Sequence, residues 1–91
     1  MFSIEKSSQF QQEYKLFKDK IEKIDNDSLK KELESILQSL RSQVKLLDTQ
    51  HNEFGFDNRL PPIVVDTRNN ISNTRKILST KLKDYDKSRN S

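Results

Sequence analysis

Residues 28–51 read SLKKELESILQSLRSQVKLLDTQH. Within this stretch Leu29, Leu33, Ile36, Leu40, Val44 and Leu47 follow one another in steps of four and three. Such steps return to one face of a helix, whereas a strand alternates every second residue. Leu37 and Leu46 are expected to widen the apolar stripe. Glu, Lys, Leu and Gln fill most other positions, and all four favour helix. An amphipathic helix is therefore predicted over about 28–51, fading near His51. Its stripe must be buried against something, so the neighbouring segments decide the fold.

Upstream, Phe10, Tyr14, Phe17, Ile21 and Ile24 repeat the same steps. They predict a first helix over about 5–24, with Ser7 or Ser8 available to cap it. Asp25, Asn26 and Asp27 separate the two helices. Their side-chain oxygens suit a turn and the start of a new helix. Downstream, Val64, Thr67, Ile71, Thr74, Leu78, Leu82 and Tyr85 define a third stripe. The predicted helix covers about 62–87, and the terminal KSRNS is expected to fray. Thr67 and Thr74 thin the middle of this stripe, which predicts tight packing or a partly open groove.

Residues 53–62, EFGFDNRLPP, hold the only glycine and both prolines of the chain. Gly55 suits a chain reversal because it tolerates positive φ. Phe54 and Phe56 are expected to pin that reversal onto the end of the bundle. A helix begun at Asp57 would place Pro61 and Pro62 where backbone N–H groups are needed. The third helix is therefore expected to start at Pro61 or Pro62, because proline is favoured in a first turn. Three amphipathic helices, with one short and one longer connection, predict an all-α, antiparallel, up-down-up three-helix bundle. It is read as one domain over residues 1–91, monomeric in isolation.

Composition narrows the function. The chain has 91 residues, no cysteine, 31% hydrophobic and 34% charged residues. Disulfides and thiolate metal sites are excluded, and no apolar run is long enough to span a bilayer. The chain is expected to be soluble and intracellular. Its single histidine, His51, is read as a solvated or capping residue at a helix end. No serine sits in a G-x-S-x-G turn. One glycine cannot build a phosphate-cradling loop. Asp25 and Asp27 lack the glycine and glutamate of a calcium loop. No catalytic, cofactor-binding or metal-binding residue is assigned, and the chain is read as non-enzymatic.

The net charge of +3 is unevenly spread. Residues 63–91 carry seven Lys/Arg against three acids, and residues 1–62 carry ten against eleven. The third helix is thus either a solvated basic face or a binding face for an acidic partner helix, anionic lipid or nucleic acid. Arg68, Arg75, Lys76 and Lys83 are the candidate partner-binding residues. A nucleic-acid-binding bundle is the alternative reading. Asp66, Asp84 and Asp86 interrupt its basic run, and no short turn joins the second and third helices as a helix-turn-helix requires. Membrane-surface binding by the first helix competes with the core for Phe10 and Phe17. A protein-interaction module, taking a partner helix into an interhelical groove, fits the pattern best.

The residues Phe54, Gly55, Phe56 and Asp57, then Arg68, then Ser72, Asn73, Thr74 and Arg75, resemble the third-helix region of the N-terminal domain of Golgi and endosomal syntaxins, the syntaxin-six group. Phe2 and Ile4 before the first stripe are similar to that family's opening. The chain departs from the pattern in an insertion that includes Pro61 and Pro62. It also lacks the family's Glu-Trp step around Leu40–Val44. The resemblance implies a cytosolic Habc-type domain of a t-SNARE, at trans-Golgi or endosomal membranes, acting in vesicle fusion. It implies protein partners, either SNARE helices or tethering factors. It also implies a parent chain continuing into a SNARE motif and a membrane anchor outside this sequence.

Overall fold

Serine and asparagine side chains start the first two helices, and a proline starts the third. A computed structural model describes residues 3–54 and 61–90. Helix α1 runs Ser8–Glu22, α2 runs Asp27–Phe54 and α3 runs Pro62–Asn90. Ser7 caps α1, its Oγ accepting from the Phe10 N–H at 3.2 Å. Asn26 caps α2, with Oδ1 accepting from the Leu29 N–H at 3.0 Å. Each cap satisfies a backbone donor that the first turn leaves free. The Pro61 carbonyl accepts from the Val64 and Val65 N–H groups, and Pro62 takes the first helical position. That position needs no N–H, so the ring costs nothing there. Lys87 and Arg89 in the last turn of α3 complement its carbonyl end.

The three helices pack as the predicted all-α bundle. Asp48 near the end of α2 touches Ile4 ahead of α1, and Gln43 of α2 meets Thr74 of α3. Tyr85 of α3 reaches the turn at Asp25, its hydroxyl accepting from the Asp25 N–H at 2.9 Å. These contacts make α2 antiparallel to both neighbours. The body measures 48 × 22 × 18 Å, close to the ~42 Å expected of a helix as long as α2 at 1.5 Å per residue.

The core contains Phe10, Ile21 and Ile24 from the first stripe and Leu33, Leu37, Leu40, Val44 and Leu47 from the second. Val64, Ile71, Leu78 and Leu82 complete it from the third, with Thr67 and Thr74 buried among them. Tyr14, Phe17, Leu29, Ile36 and Tyr85 pack around its margin.

Six expectations are corrected. Helix α1 begins at Ser8, because residues 3–7 form a turn held by α2. Helix α2 continues past His51 to Phe54, and α3 extends to Asn90. His51 is not a solvated end residue: it is 3% exposed. Leu46 does not widen the buried stripe; it faces water, because Leu47 holds the core position beside it. Phe54, at the end of α2, is 46% exposed, and the reversal it was expected to pin lies outside the described residues. The expectations for Gly55, Phe56 and Asp57 lie outside the described residues.

Candidate interaction surface

The four cations singled out on α3 separate into two kinds. Arg75 Nε lies 2.6 Å from Glu13 Oε1 and ties α3 to α1. Arg68 Nη2 lies 3.3 Å from His51 Nε2. A guanidinium only donates, so the ring nitrogen accepts and the imidazole proton sits on Nδ1 in this contact. Both arginines therefore join helices. Lys76 and Lys83 are exposed and stand seven residues apart on the outward face, with Lys87 one turn further. The four do not form one cluster.

Sequence reasoning passed over Asp48. It is 8% exposed. Its Oδ1 accepts from the Ile4 N–H at 2.7 Å, and its Oδ2 from the Glu5 N–H at 3.0 Å and the Ser3 hydroxyl at 3.4 Å. A buried carboxylate needs such donors. Here they come from the turn ahead of α1, which Asp48 fastens to the bundle. Glu5 Oε1 then pairs with Arg41 Nη2 at 3.1 Å, and the Arg41 guanidinium lies over the Tyr14 ring at 5.7 Å. The signal was available. Asp48 stands four residues after Val44, on the apolar stripe, where an acid has to find a partner.

The contacts of α2 divide its surface. Arg41 and Asp48 serve α1 and the residues before it. Gln43 and Glu32 serve α3, the latter through Lys81 at 3.0 Å. The α1/α2 groove holds a depression of about 300 Å³ lined by Tyr14, Lys18, Ile21, Glu34, Leu37 and Gln38. It is mostly polar and carries no exposed apolar anchor. On the other side of the α2/α3 pair stand Leu46, Ile63 and Ile77, exposed by 49%, 56% and 46%. Leu16 is the exposed large aliphatic of α1.

Two glutamines line the seam between α2 and α3. Gln43 Oε1 accepts from the Thr74 hydroxyl at 2.9 Å. Gln50, one heptad later, is 5% exposed, and its Oε1 has no donor among the described residues. Thr67, one heptad before Thr74, gives its hydroxyl proton to the Ile63 carbonyl at 2.9 Å; the Thr74 hydroxyl likewise lies 2.8 Å from the Asn70 carbonyl.

Among the described residues, no group of three His, Cys, Asp or Glu is arranged to hold a metal ion. No helix there is long and apolar enough to cross a membrane. Comparison with known proteins returns no matching family model, no matching curated protein and no matching solved structure.

Proposed function

We propose that this chain is a non-catalytic protein-interaction domain that receives a partner through a helix. The observation that carries this reading is the uneven cover of the α2/α3 pair. Helix α1 has 15 residues against 28 and 29 in α2 and α3, and it lies along one side of them. The exposed Leu46, Ile63 and Ile77 gather on the other side. Single exposed aliphatics are ordinary on a protein surface, but three that recur at heptad spacing along the side of the helix pair away from α1 form the pattern of a contact face for a helix.

The resemblance to syntaxin N-terminal domains supplies a setting for this reading. In that setting the chain is a regulatory Habc-type domain, acting in vesicle fusion on the cytosolic face of trans-Golgi or endosomal membranes. Its partners are SNARE helices or tethering factors, and its parent is anchored by a segment outside this sequence. The order of three helices and the two long members α2 and α3 support the proposal, as do the Phe54 and Ser72–Arg75 elements. The alternative, nucleic-acid binding, is weakened because Arg68 and Arg75 are engaged within the bundle.

Titration calorimetry of the purified chain against purified SNARE helices and tethering subunits tests the setting. A saturable complex with one of them is expected. Silence with all of them, together with salt-sensitive binding to duplex DNA or RNA, would replace this reading with the nucleic-acid one.

A further inference from the structure

Two lines of side chains border the uncovered side of the α2/α3 pair. On α2 the line is Glu32, Ser39, Leu46 and Glu53; on α3 it is Ile63, Asn70, Ile77 and Asp84. Each advances in steps of seven, close to two helical turns, so its members stay on one strip of the helix. All eight residues are exposed. Gln43, which bonds Thr74, lies one turn before Leu46, so the α2 line sits just outside the seam and away from Arg41 and Asp48 on the α1 side. The Gln43–Thr74 and Glu32–Lys81 contacts set the register. They put Glu53 near Ile63, Leu46 near Asn70, Ser39 near Ile77, and Glu32 near Asp84. Three successive rungs thus pair one apolar with one polar side chain, on alternating sides, and the last rung is acidic on both.

The floor between the lines is a hydrogen-bonding one. At one heptad Thr74 donates to Gln43; at the next, the Gln50 oxygen is buried and has no donor among the described residues. An acceptor buried without a partner is uncommon in a finished interior.

Resting on the reading of this chain as an interaction domain, we propose that the α2/α3 face binds a basic amphipathic helix of another protein. Charge selects this occupant. Glu32, Glu53, Asp66 and Asp84 stand along the face, against Lys81, which is already paired with Glu32, and Lys76, which lines one depression with Ile77 and Asp84; the acids stay in excess. Asp66 and Asp84 are five turns apart on α3, so both flank the same edge. A second copy of this chain is a poor occupant. Docked antiparallel it sets Glu53 against the Glu32/Asp84 end, and docked parallel it sets each acid against itself. A helix with one apolar line meets Ile63, Leu46 and Ile77, and Lys or Arg beside that line meets the acids. From Glu32 to Glu53 the face is about 32 Å long, so the partner segment has about twenty residues.

The test is a display library of helical peptides of about twenty residues. Each carries an invariant apolar heptad seam, with flanks randomised among Lys, Arg, Glu, Asp and Gln. Selection runs against the chain and against its Leu46→Asp/Ile77→Asp variant. Circular dichroism checks that the variant keeps its helices, which two exposed substitutions should preserve. Enriched peptides are expected to carry Lys and Arg flanks and to bind the variant at least about tenfold more weakly. They should shift the backbone NMR signals of Ser39, Leu46, Asn70 and Ile77. If the variant unfolds, Ser39→Lys/Asn70→Lys replaces it, with the same loss expected from charge repulsion. Acidic enriched peptides, or basic ones indifferent to either variant, overturn the groove while leaving the interaction-domain reading intact. No enrichment against the chain overturns both.

Discussion

The two sides of the α2/α3 pair handle buried polar groups differently. On the side facing α1, the buried carboxylate of Asp48 receives three donors from Ser3, Ile4 and Glu5. On the opposite side, the buried amide oxygen of Gln50 receives none among the described residues. The apolar residues divide in the same way. Leu40 and Leu46 lie on one helix, six positions apart, yet the first is 0% exposed and the second 49%. One side of the bundle is closed by α1 and the turn before it, while on the other the strip through Leu46, Ile63 and Ile77 stays exposed. Burial of one strip and exposure of the next follow from where α1 lies, since both strips have helical periodicity and apolar members.

The strongest way to sharpen this contrast is to truncate one leucine on each strip. Leu40→Ala should destabilise the bundle by about 2–5 kcal/mol, through lost burial and the cavity left behind. Leu46→Ala should move stability by no more than about 0.5 kcal/mol, as surface substitutions do. Urea unfolding followed by circular dichroism measures both. Equal losses would mean that Leu46 is part of the core and that the uncovered side does not exist as described.

Much of this architecture was legible before any coordinates. The stripes of Phe10 to Ile24, Leu33 to Leu47 and Val64 to Leu82 specify three helices because helical period leaves a strong trace in apolar residues. Ser7, Asn26 and Pro62 start those helices by local chemistry, which sequence also carries. Helix ends were less legible: α2 passes His51 because that ring packs against Arg68 of a helix distant in sequence. Leu47 stands on the stripe three residues after Val44, but that Leu46 beside it stays exposed depends on how far the neighbouring helices reach around α2. Arg75 reads as a free cation until Glu13, far earlier in the chain, is brought beside it. Asp48 shows the same limit from the other direction. Its place on an apolar stripe demanded partners, but those partners are backbone N–H groups, which every residue except proline has and no residue advertises.

Asp48 gives the next largest expected effect. Asp48→Ala should cost about 2–3 kcal/mol, the net worth of charge-assisted hydrogen bonds to the Ile4 and Glu5 N–H groups. The loss is bounded because residues 3–7 can swing into water and find other acceptors. Hydrogen exchange of the Ile4 and Glu5 amides should therefore accelerate. That of Leu29, bonded to the Asn26 side chain at the other end of the bundle, should not. Unchanged exchange at Ile4 and Glu5 would break the comparison on its closed side, since the fastening of the leading turn would then lie elsewhere.

The smallest effect has the opposite sign and bears on the open side. Gln50→Met keeps the length of the side chain and removes a buried oxygen that has no donor among the described residues, so the isolated chain should gain about 1 kcal/mol. The matching change one heptad earlier, Gln43→Met, removes an acceptor that is in use. The Thr74 hydroxyl has one proton, and the Asn70 carbonyl at 2.8 Å competes with Gln43 for it, so the proton can turn wholly to that carbonyl and the cost should stay near 0.5–1 kcal/mol. Two substitutions of one residue type, one heptad apart on the same seam, are thus expected to move the urea midpoint in opposite directions. A loss at both positions would mean that Gln50 is satisfied in solution and that its side of the bundle is closed after all. A gain at Gln50 alone fits a polar group kept at a cost to the free chain, which is the pattern of a binding residue rather than a structural one.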